Sequence, residues 1–257
     1  MIIAGAAQQR SAVVSFPYFE MIVKTDNAGT SDNDQFTIPT LGGGYNYTVE
    51  TSEQLLTNQT GNVTLEWASA GTYWVRITGN FPRIFFNNGG DRLKLLEVSN
   101  WGDIAWSSMG VAFNGCSNFN ITANDAPILS NVTDMSQMFR NASTLNADLN
   151  HWDVGNVTAM NVMFFGASAF NGDISGWNVS GVERMDSMFW DATNFNSDIA
   201  NWDVGSVTNM DIMFFNAATF NRDLSGWCVE QIASAPTLFD RNANSWVLPR
   251  PNWGDPC

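Results

Sequence analysis

The stretch "HWDVGNVTAMNVMFF" (His151–Phe165) returns fifty residues later as "NWDVGSVTNMDIMFF" (Asn201–Phe215), with tryptophan, valines, methionines and paired phenylalanines in the same order. The half-step is also present. Trp152, Trp177, Trp202 and Trp227 recur every 25 residues, as do Met160, Met185 and Met210, and Phe139, Phe164, Phe189 and Phe214. The unit reads W-[DN]-V-x-x-V-x-x-M-x-x-M-F-x-x-A-x-x-F-N-x-D-[IL]-x-x-W. A fixed period of this length marks a stack of supersecondary units, each burying its apolar face against its neighbours. Strict recurrence therefore assigns the tryptophans and methionines to the interior, where methionine fills irregular gaps, rather than to a glycan platform or a metal stripe. Val157, Met160, Met163, Phe164 and Ala167 fall on one stripe of a short helical or 3₁₀ segment. Ile174, Trp177 and Val179 suggest an extended segment with a bend. Each rung thus combines one short strand and one short helical piece.

The register extends beyond the regular block. Trp101, Met109, Phe113 and Phe119 match Trp152, Met160, Phe164 and Phe170, and Pro127 stands where the next tryptophan belongs. After the block, Trp227, Val229, Ile232 and Phe239 persist while Ala235 and Leu238 replace the methionines. Degenerate outer units are expected of caps, and the array amounts to about five and a half rungs. "MGVAFNGCSNF" (109–119) resembles the Treponema-type leucine-rich-repeat unit I-x-x-x-A-F-x-x-C-x-x-L. "NVTDMSQMFRNASTLNADLNHWDV" (131–154) resembles the BspA-like branch, with its V-T-x-M-x-x-M-F-x-x-A-x-x-F-N-x-D pattern. The resemblance covers roughly residues 93–240. It implies a curved stack of parallel strands, a surface-exposed or secreted protein engaged in adhesion or protein binding, and no catalytic residues to carry over.

Residues 18–88 differ in character. "YFEMIVKT", "DQFTIPT", "YNYTVET", "NVTLEWA", "GTYWVRITG" and "RIFFNN" are short β-branched or aromatic runs between turn-rich pieces, as in a small antiparallel sandwich. "WASAGTYWVRITG" (67–79) resembles the late-strand signature of PKD-like immunoglobulin-type domains, H-x-Y-x-x-x-G-x-Y-x-V, whereas "YTVETSEQ" stands where that family carries W-D-F-G-D-G. The expected architecture is mainly β with short helices. It comprises an N-terminal arm (1–17), a PKD-like β-sandwich (18–92), a leucine-rich-repeat-type solenoid (93–240) and a C-terminal capping tail (241–257).

Composition limits the function. The chain of 257 residues carries 11 Lys+Arg against 25 Asp+Glu, a net charge of −14, so phosphate backbones and anionic membranes are repelled. No apolar run approaches the roughly 18 residues of a membrane helix. The start, "MIIAGAAQQRSAVV", lacks the basic n-region and the full apolar stretch of a secretory signal.

Few residues offer chemistry. His151 is the single histidine, and its repeat equivalents are Gly176, Asn201 and Gly226, so no triad or His-based metal centre forms around it. Cys116 takes the slot of Ala142, Ala167, Ala192 and Ala217, as a small buried thiol. A Cys228–Cys257 disulfide would staple the tail over the last rung in an oxidising compartment. Asp148, Asp173, Asp198 and Asp223 recur once per rung, each two residues after Asn146, Asn171, Asn196 or Asn221. Stacking spaces such columns by roughly 4.8 Å. The asparagines suit an amide ladder or turn bonds. The aspartates either cap turns through backbone N–H groups or share Ca²⁺; turn capping is the simpler reading, and no cofactor is otherwise implied.

The sequence thus points to a non-catalytic binding or adhesion protein on an exterior surface. Contact candidates are Arg140, Phe165, Arg184, Trp190, Phe215 and Arg222, in slots of mixed chemistry. Phe165, Trp190 and Phe215 share one slot with Arg140, forming either an exposed contact stripe or more core. Partners are a protein or glycan on a cell surface, or neighbouring virion subunits met through the N-terminal arm. With no visible signal peptide, a phage appendage or capsid-decoration protein, with host-receptor binding as one role open to it, is preferred over a secreted bacterial adhesin or a structural cement subunit. An enzyme with paired carboxylates would need acids that break the repeat register, and these mostly keep it.

Overall fold

The computed structural model describes residues 16–254. It is mainly β, with eight strands and no helix among the described residues. The first seven are β1 (Phe19–Lys24), β2 (Gln35–Ile38), β3 (Asn46–Glu50), β4 (Leu55–Gln59), β5 (Val63–Glu66), β6 (Thr72–Asn80) and β7 (Leu95–Asn100). The last, β8, is the two-residue Asn120–Ile121. A six-stranded sheet in the order β4-β3-β6-β1-β7-β8 packs with a two-stranded sheet, β2-β5. Alternation of buried and open residues along β1, β2 and β5 gives each strand one core face. Five of the six β-prone runs become strands. The sixth, "RIFFNN", is an extended connector: Phe85 N–H donates to Pro39 C=O, and Phe86 and Asn87 N–H donate to Ala112 and Val111 C=O. Strand β4 lies in "SEQLLTNQT", whose polar pattern gave no strand signal.

From Met109 onward the chain winds into coils that stack in parallel. Asp134, Ala159, Arg184 and Asn209 form successive parallel bridges. The expected short helices are absent, and the backbone bonding explains why. Met160, Val162, Phe164 and Gly166 N–H donate to Arg184, Asp186, Met188 and Trp190 C=O of the next coil. The intervening Met163, Phe165 and Ala167 N–H bond back three residues, to Met160, Val162 and Phe164 C=O. Half the donors thus leave the coil, which an α-helix does not allow. Two left-handed residues four apart keep the run from closing into a helix. These are Val111/Gly115, Gln137/Asn141, Val162/Gly166, Ser187/Asp191, Ile212/Asn216 and Leu238/Asn242, a pair in each of six coils.

The interior is a column of rings. Phe164 stacks on Phe189 at 5.6 Å and 3°, and Phe189 on Phe214 at 5.6 Å. Trp177, Trp202 and Trp227 stack at 6.4 and 6.5 Å, each donating its indole N–H to a carbonyl of the preceding coil. The repeated methionines and Cys116 are buried.

The core runs without interruption from the sheets into the coils. Strand β7 pairs antiparallel with β1 and parallel with β8. Phe19 meets Trp101 at 5.6 Å and Trp106 at 5.1 Å. Gly102, at φ +59°, lies where a Cβ would collide with the Tyr18 backbone. At the far end, Trp246 packs edge-on against Phe214 and Phe220. Leu224 N–H donates to Pro249 C=O, so the tail closes the last coil.

Candidate functional site

Register within the coils creates columns of like-placed side chains. Gly115, Asn141, Gly166, Asp191 and Asn216 N–H donate to the carbonyls of Arg140, Phe165, Trp190, Phe215 and Arg241, which puts those five residues in one line along the stack. The Arg140 guanidinium lies 5.0 Å over the Phe165 ring. Phe165 meets Trp190 edge-on at 4.8 Å, and Trp190 meets Phe215 at 5.4 Å. Arg140 and the three rings are half-buried and Arg241 is exposed. The adjoining column of Gln137, Val162, Ser187 and Ile212 is also half-buried, and Leu238 at its end is 41% exposed. The result is an aromatic stripe with a cation at each end, on a chain whose net charge is −14.

The slot shared by Arg140, Phe165, Trp190 and Phe215 is therefore one continuous side-chain row. Arg241 escaped the sequence reading because the last step of the column is 26 residues instead of 25; the extra residue shifts it out of simple register. Arg184 stands elsewhere, exposed and paired with Asp186 at 3.1 Å. Arg222 folds back to donate from Nε and Nη2 to Asn196 C=O.

The recurrent acids hold their own turns. Oδ1 of Asp148, Asp173, Asp198 and Asp223 accepts the N–H two residues on, from Asn150, Ser175, Ala200 and Ser225, at 2.9–3.1 Å. Hydrogen bonds from Ser225 Oγ and N–H lower the Asp223 pKa below its ordinary value. Asn146, Asn171, Asn196 and Asn221 form the ladder: the N–H of each later member donates to Oδ1 of the one before, at 2.8–2.9 Å. Asn120 starts that ladder and Val247 N–H ends it. Among the described residues no three His, Cys, Asp or Glu side chains gather as a metal-binding group.

Cys116 is free, and burial pushes its thiol pKa well above the ordinary range. Cys228 is disulfide-bonded; Cys257, its expected partner, lies outside the described residues. No helix among the described residues is long and apolar enough to cross a membrane.

The coils match the family described as Mycoplasma protein of unknown function, DUF285, over residues 107–227 and 176–254. No curated protein and no solved structure matches the chain.

Proposed function

The chain belongs to the DUF285 family, and from that premise we propose a non-catalytic binding or adhesion protein, displayed on an exterior surface, that contacts its partner through the aromatic stripe of the coil stack. In this reading residues 93–240 are a BspA-like, leucine-rich-repeat-type solenoid, supported by the stacked 25-residue period. Residues 18–92 are a PKD-like sandwich, supported by strands β1–β6 of the two sheets, the "GTYWVRITG" strand among them. The observation that carries the function is the unbroken line Arg140–Phe165–Trp190–Phe215–Arg241. Interior ring columns explain the stability of the stack, but this half-buried row lies outside them. Aromatic and arginine side chains dominate binding energy at protein surfaces. The repeat acids favour binding over hydrolysis, since they are committed to capping turns.

The exterior surface is that of a virion or of a bacterial cell, and the partner is a protein or glycan on a cell surface. Labelled full-length protein is incubated with intact host cells, beside a Trp190→Ala/Phe215→Ala variant. Cell binding falls about tenfold or more in the variant. Equal binding by both, with near-ultraviolet dichroism showing a folded variant, sinks the assignment. Immunogold microscopy distinguishes virion from cell surface.

A further inference from the structure

The outward face of the six-stranded sheet carries a second constellation. Arg76 of β6 stands opposite Glu20 of β1, and its Nε donates to Glu20 Oε2 at 2.6 Å. Glu20 Oε1 accepts from Ser99 Oγ at 2.7 Å. The guanidinium is held between the rings of Tyr18, at 4.3 Å, and Trp74, at 4.4 Å. Phe16 stacks on Tyr18 at 5.3 Å and 16°, so four flat groups form one pile. It ends in Phe16, 47% exposed. Neither terminal nitrogen of Arg76 has an acceptor among the described residues.

These groups border a cavity of ≈ 340 Å³ where the sheet meets the first coil. Its lining includes Phe16, Tyr18, Glu20, Arg76, Asn124 and Asp125. Asp125 is fixed by the N–H groups of Trp101 and Gly102 at 2.8–3.0 Å. Asn124 is exposed and its amide is not used by the fold.

We propose that this cavity binds a neutral sugar residue. The physical requirements are a flat aromatic face for the C–H side of a pyranose and rigid donors and acceptors for its hydroxyls. The open face of Phe16, backed by the stacked Tyr18 ring, supplies the first. The free nitrogens of Arg76 and the Asn124 amide donate, while Glu20 and Asp125 accept. Glu20, Arg76 and Asp125 are held in place by the fold, which spares part of the ordering entropy that weakens small-ligand sites. Charge selects a neutral ligand: Glu20 cancels Arg76, Asp125 leaves the pocket negative, and the chain around it carries −14, so carboxylated or phosphorylated ligands are repelled. The volume lies at the small end of the range for ligand pockets, about 300–1,000 Å³, which suits one sugar ring. It shares no residue with the aromatic stripe and stands or falls independently of it.

Saturation-transfer NMR on the full chain tests the site, using glucose, galactose, mannose and N-acetylglucosamine, with glucuronate as the anionic arm. At least one neutral sugar receives saturation, and Phe16→Ala and Asn124→Ala each weaken that binding by about tenfold. Trp190→Ala leaves it unchanged, which separates this site from the stripe. Both tested side chains are exposed, so the variants keep the fold, and near-ultraviolet dichroism checks this. The proposal is overturned if no neutral sugar in the panel binds, if both variants bind as the parent does, or if glucuronate binds as tightly as the neutral sugars.

Discussion

Tyr47 shows how burial sets a residue's contribution. Its ring packs edge-on against Phe81 at 4.9 Å, and its hydroxyl donates to Gly61 C=O at 2.6 Å. Burial, with Tyr45 beside it, raises its pKa to about 12. An unfolded tyrosine titrates near about 10, so the folded chain holds this proton more tightly. The corresponding stability is complete below about pH 10 and is lost as pH rises towards about 12. Tyr47→Phe is expected to cost about 1 kcal/mol at pH 8 through the lost hydrogen bond, and to soften the alkaline fall. Guanidinium melts at pH 8 and pH 11 measure both; an unchanged alkaline slope contradicts the assignment. The mixed slot of Arg140, Phe165, Trp190 and Phe215 was legible in the sequence as a column. Its half-burial was not, because exposure depends on how far neighbouring coils overhang it.

Among the elements, the left-handed pair in each coil decides the geometry. Gln137, Val162, Ser187 and Ile212 occupy one such column, with φ between 57° and 62°. β-Branched residues are genuine outliers there, and the left-handed region costs an ordinary side chain about 1–2 kcal/mol. The strain persists because the next coil holds Val162 N–H on Asp186 C=O at 2.9 Å. Val162→Asn, with a side chain that tolerates the conformation, should stabilise the protein by about 1 kcal/mol. A melting temperature equal to or below the parent's would show that Val162 contributes more through packing than it loses in strain. Apolar residues at i, i+3, i+6, i+7 and i+10 read as a helical stripe, since turns bonded three residues back keep nearly the same side-chain spacing. The period alone cannot separate them; the destination of the alternate N–H groups does.

Across the whole molecule, sheets and coils share one core. Phe19 touches both Trp101 and Trp106, Phe81 lies 5.9 Å from Trp106, and Trp101 meets Trp152 at 5.3 Å. Calorimetry of the full chain should therefore give one cooperative transition. Phe19→Ala should lower stability by about 3–5 kcal/mol and move the whole transition. Two separate transitions, with only one shifted, would mean that the junction is a contact between independent units.

The 25-residue period, the buried tryptophans and methionines, the asparagine ladder and most strands of the sheets were determined by the sequence itself. Each is a local or strictly repeated pattern in which the same side chain meets the same environment many times. Tertiary structure alone decided the rest: turns in place of helices, Arg241 at the end of the stripe, and the cavity around Arg76. These depend on which distant backbone groups and rings meet, and on a single extra residue in the last coil, and neither leaves a periodic trace in the chain.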